Sequence, residues 1–176
     1  MIEAVGHEHM EGYFAAISRA LCPGGKAVLQ AISEPDDRYE AYCASSDFIR
    51  EHIFPGGHLP CMGVMLSAGR AVGLLVTGVQ DIGPDYAVTL RAWRSAWEAR
   101  KREVLGLGYS DLFWRKYRFY FAYCEAGFDA RYIHNFQLVF TKAEGLTATP
   151  VKAAGHDHSL QLLLAVYFFL AGMGII

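Results

Sequence analysis

The sequence predicts an α/β fold, in the form of one half of a doubly wound domain, and three observations predict it. Apolar runs of strand length alternate with segments whose large apolar residues recur at helical spacing. Turn residues mark the changes, as in "CPGG" at 22–25 and "PGGHLP" at 55–60. The 176 residues, 53% hydrophobic and 14% aromatic, hold enough apolar side chains for one packed domain.

Taken in order, the chain opens with a carboxylate, Glu3, beside the apolar Ile2, at the kind of seam where α/β proteins place their chemistry. A helix is expected from near Gly6, because Met10, Phe14, Ile17 and Leu21 follow its period. "KAVLQAIS" (Lys26 to Ser33) reads as a buried strand, with the loop "EPDDR" at its carboxyl end. A second α/β unit runs through "SSDFIREHIF" and a short helix from Met62 to Ala71 into the strand of "GLLVTGVQDIG". From Asp85 to about Leu105 a long helix is expected, with Tyr86, Leu90, Trp93 and Trp97 along one side. A second, from Asp111 to Ala126, aligns Tyr117, Tyr120, Phe121 and Cys124. "RYIHNFQLVFTK" is the last strand. Three strands leave a sheet edge unprotected, so self-association into a homo-oligomer is expected.

Residues 143–158 read as a linker, short on large apolar side chains. Residues 159–176 are 18 positions without a charge, close to the roughly 20 that span a bilayer. Two readings stand for them: a membrane anchor, or translated sequence foreign to the protein.

Composition excludes some functions. Lys+Arg 16 against Asp+Glu 18 gives a net charge of −2 and no basic field, so no nucleic-acid partner is expected. The start is acidic and lacks the pattern of a secretory signal. Cys22, Cys43, Cys61 and Cys124 form no C-x-x-C pair, which predicts reduced, mostly buried thiols in an intracellular protein. "HEHM" at 7–10 is not H-E-x-x-H, and "HDH" at 156–158 stands on the linker with nothing to orient it, so no metal is expected. "ARKR" at 99–102 is either a solvated helix face or a contact for anionic phospholipid headgroups, worth about 1 kcal/mol per basic residue near such a surface. The aromatic stripe Trp93, Trp97, Tyr117, Tyr120 and Phe121 reads as core before it reads as a shelter for a cation.

"MIEAVGHEHMEGYF", "AVLQAIS", "FIREHIFPGGHLP", "DIGPDYAVTLRAW" and "YCEAGFDARYIHNFQLVF", in that order over residues 1–142, resemble the carboxyl half of the cyclopropane-fatty-acyl-phospholipid and mycolic acid cyclopropane synthases. The resemblance implies the C-terminal half of a seven-stranded class I methyltransferase sheet of Rossmann-like type, with the long helix pair as an insertion. It implies methyl transfer from S-adenosylmethionine to a cis double bond of a phospholipid acyl chain, with bicarbonate as base. It places Glu3 and Tyr86 at the catalytic centre and Glu3, Gln30, Ile32 (through its backbone) and Tyr86 around the bicarbonate. Gln30 stands where the family has histidine, and its amide donates to an anion but does not carry a proton. Leu90, Tyr120 and Cys124 fall on acyl-channel positions. The glycine-rich cofactor turn of the family lies upstream of the Glu3 segment, so the sequence reads as a fragment of a longer enzyme, cytoplasmic and peripheral to the membrane. The competing reading is a non-catalytic remnant that binds lipid or pairs with another subunit.

Overall fold

The computed structural model describes residues 1–144; most of the expected linker, and all of the apolar segment 159–176, lie outside the described residues. Two 3-10 turns, Ile2–Ala4 and His7–His9, come first. Gly6 joins them at φ 79°, a left-handed conformation that glycine adopts without steric cost. That kink delays the helix expected near Gly6, and α1 spans Met10–Ala20. Strand β1 (Lys26–Ser33) follows, then a 3-10 turn (Asp36–Arg38) running into α2 (Tyr39–Cys43). The short α3 (Phe48–His52) is capped by Asp47, whose carboxylate accepts the Arg50 N–H at 2.9 Å. Next come α4 (Met62–Ala71) and strand β2 (Leu74–Asp81).

The single helix expected from Asp85 to about Leu105 is instead two: α5 (Gly83–Ala99) and α6 (Lys101–Gly106). Arg100, at φ −99° and ψ 19°, leaves helical geometry between them. The bend goes with a buried Val104 and with Lys101, whose ammonium reaches Asp111 at 2.8 Å and lies 4.2 Å over the Trp114 ring. Helix α7 (Asp111–Asp129) runs past the expected end at Ala126, and strand β3 is His134–Lys142. Ser110 caps α7 by accepting the Phe113 N–H at 3.1 Å.

The sheet order is β1-β3-β2, with β3 antiparallel to both neighbours. The two outer strands, β1 and β2, therefore point the same way. The helix hairpin gives the reason for the direction of β3. It returns the chain to the end of the sheet where β2 finished, as the Ile82 N–H donated to the Asn135 carbonyl at 2.8 Å shows. From there β3 enters the gap between β1 and β2 running back. Three strands fall among the described residues, and both outer ones have a free edge.

One core covers a face of this sheet, and a second lies at its end. One packs Phe14 of α1 and Met65 and Ala68 of α4 onto Leu29, Ala31, Leu138 and Phe140. The other joins α5 to α7 around Leu90, Trp97, Phe121 and Phe128, and touches the sheet only at its end, through Ile32 and Ile133. The stripe of aromatics is thus core, as its period suggests. Arg91 and Arg94 of α5 share Glu125 of α7, at 2.7 and 3.0 Å. Between that sheet end and the opposite margin one face stays open, with Val28 72% and Leu75 51% exposed.

Candidate functional site

Residues matched by motif but scattered over the chain meet where β1 ends against the second core. Glu3 sits on the first 3-10 turn, and its Oε1 accepts the backbone N–H of Ile32 at 2.9 Å. Its other oxygen takes the Met1 amine at 2.9 Å. Ile32 projects into the cluster that holds Tyr86, Leu90, Tyr120 and Cys124. Tyr86, in the first turn of α5, packs edge-on to Phe128 at 5.1 Å and to Trp93 at 6.0 Å. Tyr120 and Cys124 lie one turn apart on α7, and Phe54 from the loop after α3 meets the Tyr120 ring at 5.8 Å.

Burial dominates the chemistry of these groups. It pushes the Cys124 thiol up to about 12, so that side chain stays protonated at neutral pH. Burial first, then the neighbouring Cys124, raises Tyr120 well above the ordinary phenol value. Tyr86 is raised by burial, then by Cys124 and by the carboxylate of Glu3. The phenols are therefore neutral hydrogen-bond donors beside a carboxylate, within aromatic walls.

Gln30 shares the Ile32 face of β1 but lies two residues back, on the open part of the sheet. It is exposed, and its Oε1 accepts from Gln137 Nε2 of β3 at 3.3 Å. Among the acyl-channel positions Leu90 is fully buried, while Tyr120 and Cys124 are half-buried.

Sequence reasoning missed Asn135. It pairs with Ile32 across β1 and β3, is 0% exposed, and neither its amide nitrogen nor its amide oxygen has a hydrogen-bond partner. An unpaired buried amide costs roughly 1–3 kcal/mol, so this side chain has donor and acceptor to offer beside Ile32. No periodicity reveals it; only the register with Ile32 does. Sequence reasoning also missed a polar cluster beside the Glu3 turn. The Tyr39 hydroxyl is hydrogen-bonded to His7 Nδ1 and to His58 Nε2, each at 2.8 Å. The backbone N–H of His58 donates to the Glu3 carbonyl at 2.7 Å, tying this cluster to the site. Of the four cysteines, Cys61 is buried and Cys124 half-buried, whereas Cys22 and Cys43 are exposed, so the expected burial holds for only part of the set. "ARKR" divides too: Arg102 is exposed, while Lys101 is occupied with Asp111 and Trp114.

With β3 set antiparallel between two like-directed strands, the described residues form an α/β arrangement that resembles the S-adenosylmethionine-dependent methyltransferases. Its backbone superposes on the crystal structure of mycolic acid cyclopropane synthase CmaA1 complexed with SAH and CTAB, with TM-score 0.73 and 31% identity over 80% of this chain and 52% of that one. The chain belongs to the mycolic acid cyclopropane synthetase family, whose model matches residues 1–138. Among curated relatives, tuberculostearic acid methyltransferase UfaA1 of Mycobacterium tuberculosis is 38% identical over 138 residues, 78% of this chain and 32% of the relative. Cyclopropane-fatty-acyl-phospholipid synthase of Escherichia coli K12 is 30% identical over 142 residues, 81% of this chain and 36% of the relative. The chain thus spans about a third of the length of these two relatives.

Proposed function

We propose that this chain forms the acyl-binding and base-holding half of an S-adenosylmethionine-dependent lipid methyltransferase that acts on cis double bonds of phospholipid acyl chains and leaves a cyclopropane ring. One observation carries the reading: Glu3 accepts the Ile32 N–H at 2.9 Å beside the cluster of Tyr86, Leu90, Tyr120 and Cys124. When bound, S-adenosylmethionine supplies the methyl group, and the remaining strands of a seven-stranded sheet would carry most of its contacts.

The residues of this chain would do the rest. A methyl added to an alkene leaves a carbocation, which aromatic faces stabilise and apolar walls keep from water. Tyr86, Tyr120 and Phe54 supply such faces, and Leu90 and Cys124 the walls. Ring closure also requires removal of a proton from the new methyl group. Glu3 and Tyr86 would hold bicarbonate as that base, the Ile32 backbone would position Glu3, and Gln30 would have to turn in from its bond with Gln137 to join them. The orphan amide of Asn135 fits a small polar guest here, since it has donor and acceptor to give. Among the described residues no helix is long and apolar enough to cross a membrane. Work at the cytoplasmic membrane surface, with Arg102 facing lipid headgroups, is part of the proposal.

The test is expression of the gene in a host whose membranes hold cis-unsaturated but no cyclopropane acyl chains. Ring-bearing acyl chains should appear, labelled from the S-adenosylmethionine methyl group. With Glu3→Ala they should fall by about 100-fold or more, the usual weight of a positioned proton-transfer apparatus. The competing reading is a non-catalytic lipid-binding protein. Acyl binding without any ring product would select it.

A further inference from the structure

Beyond the proposed lipid chemistry, we infer that His7, Cys43 and His58 form a binding site for a divalent transition-metal ion such as Zn²⁺. One ligand atom from each lies within 4.8 Å of the others, although the three come from separate parts of the chain. Three features of the fold assemble them. The 3-10 turn after Gly6 presents His7. Tyr39 and Cys43 are one turn apart on α2 and so share a face. The turn through Gly56 and Gly57 delivers His58, held by its N–H on the Glu3 carbonyl.

The donor set is that of a borderline-soft metal: two imidazoles and a thiolate, with bonds of about 2.0–2.1 Å to nitrogen and about 2.3 Å to sulfur. In a tetrahedral site these bonds set ligand atoms roughly 3.5 Å apart, so the cluster must contract by about an ångström. His7 and Cys43 are exposed and free to swing inward, while the buried His58 stays as the anchor.

At present the three groups surround one phenol. The Tyr39 hydroxyl bonds both imidazoles at 2.8 Å and also interacts with Cys43. A phenol has one proton to donate, so it satisfies one imidazole nitrogen as donor and must accept from the other. A cation has no such limit and accepts all three lone pairs at once. Tyr39 would then give up these hydrogen bonds and turn its hydroxyl to the ion as a fourth ligand.

The site also has an entrance. A cavity of about 310 Å³ opens beside it, lined by Gly6, His7, Glu8, Ser46, Arg50, Gly56, Gly57 and His58. Glu8 adds negative charge there. Arg50 opposes the ion, but its guanidinium is drawn aside onto the Tyr42 and Ser45 carbonyls at 3.1 and 2.6 Å. Of "HEHM", only His7 would ligate, so the site would owe nothing to an H-E-x-x-H helix.

The experiment is a titration of the reduced full chain with Co²⁺, followed by displacement with Zn²⁺. The expected result is one equivalent bound with a thiolate-to-cobalt charge-transfer band, which Zn²⁺ abolishes. Cys43→Ser should remove the band and Cys22→Ser should leave it unchanged. Zn²⁺ should also shield Cys43, and not Cys22, from alkylation, as read by mass spectrometry of the unmutated chain. Absence of the band in the unmutated chain, or its survival in Cys43→Ser, would overturn the assignment. None of these readouts requires lipid methylation, so failure of the proposed function would leave the test intact.

Discussion

Glu3 and His58 are bound together through the backbone, one on the proposed chemistry and one on the polar cluster beside it. Burial, then Arg50 and His7, hold the His58 imidazole below its ordinary value, with Glu8 acting the other way. A histidine lowered in the native state resists protonation that the unfolded chain accepts below about pH 6.5. Its contribution to stability is therefore full above that pH and is lost as pH falls towards the native value. Melting temperature should drop between about pH 7 and pH 5.5, and less steeply in His58→Gln; equal slopes in the two proteins would contradict this. At this scale the sequence was legible only where a motif spoke. Glu3, Ile32 and Tyr86 could be named as candidates because short blocks surround them, and the fold sets them near one another. Asn135 and the His7–Tyr39–His58 cluster depend on contacts between distant segments, which composition and period do not encode.

Among the elements, strands and long helices were legible because their apolar spacing is strong, and their bounds shifted by a few residues. The break at Arg100 was not, since nothing in "WEARKREV" interrupts helical propensity; the bend goes with tertiary ties from Lys101 and Val104. The antiparallel setting of β3 was equally hidden, because it follows from where the α5–α7 hairpin delivers the chain. How tightly α4 meets the sheet is testable at Gly69. A methyl group there would come within 2.9 Å of the Phe140 ring and 3.3 Å of the Leu74 carbonyl. Gly69→Ala should destabilise the protein by about 1–3 kcal/mol through overpacking, despite the better helix propensity of alanine. Chemical denaturation measures it, and unchanged or raised stability would show that the interface has slack.

Among the described residues, the outer edge of β1 pairs with no further strand, and the exposed Val28 and Leu75 leave apolar surface open. The chain in isolation should associate, and a monodisperse monomer in sedimentation velocity at high concentration would contradict that. The central claim, that the end of β1 and the α5–α7 pair form an acyl-chain site, has a built-in reporter. All three tryptophans, Trp93, Trp97 and Trp114, belong to that helix pair and its cluster. The most direct measurement is tryptophan fluorescence during titration with a phospholipid whose acyl chain carries bromine where the cis double bond would be. Saturable quenching, absent with the unbrominated lipid and lost in Cys124→Phe, which fills the space beside Tyr120, is the predicted result. Emission that does not change, or quenching that Cys124→Phe leaves intact, would contradict an acyl site at this place.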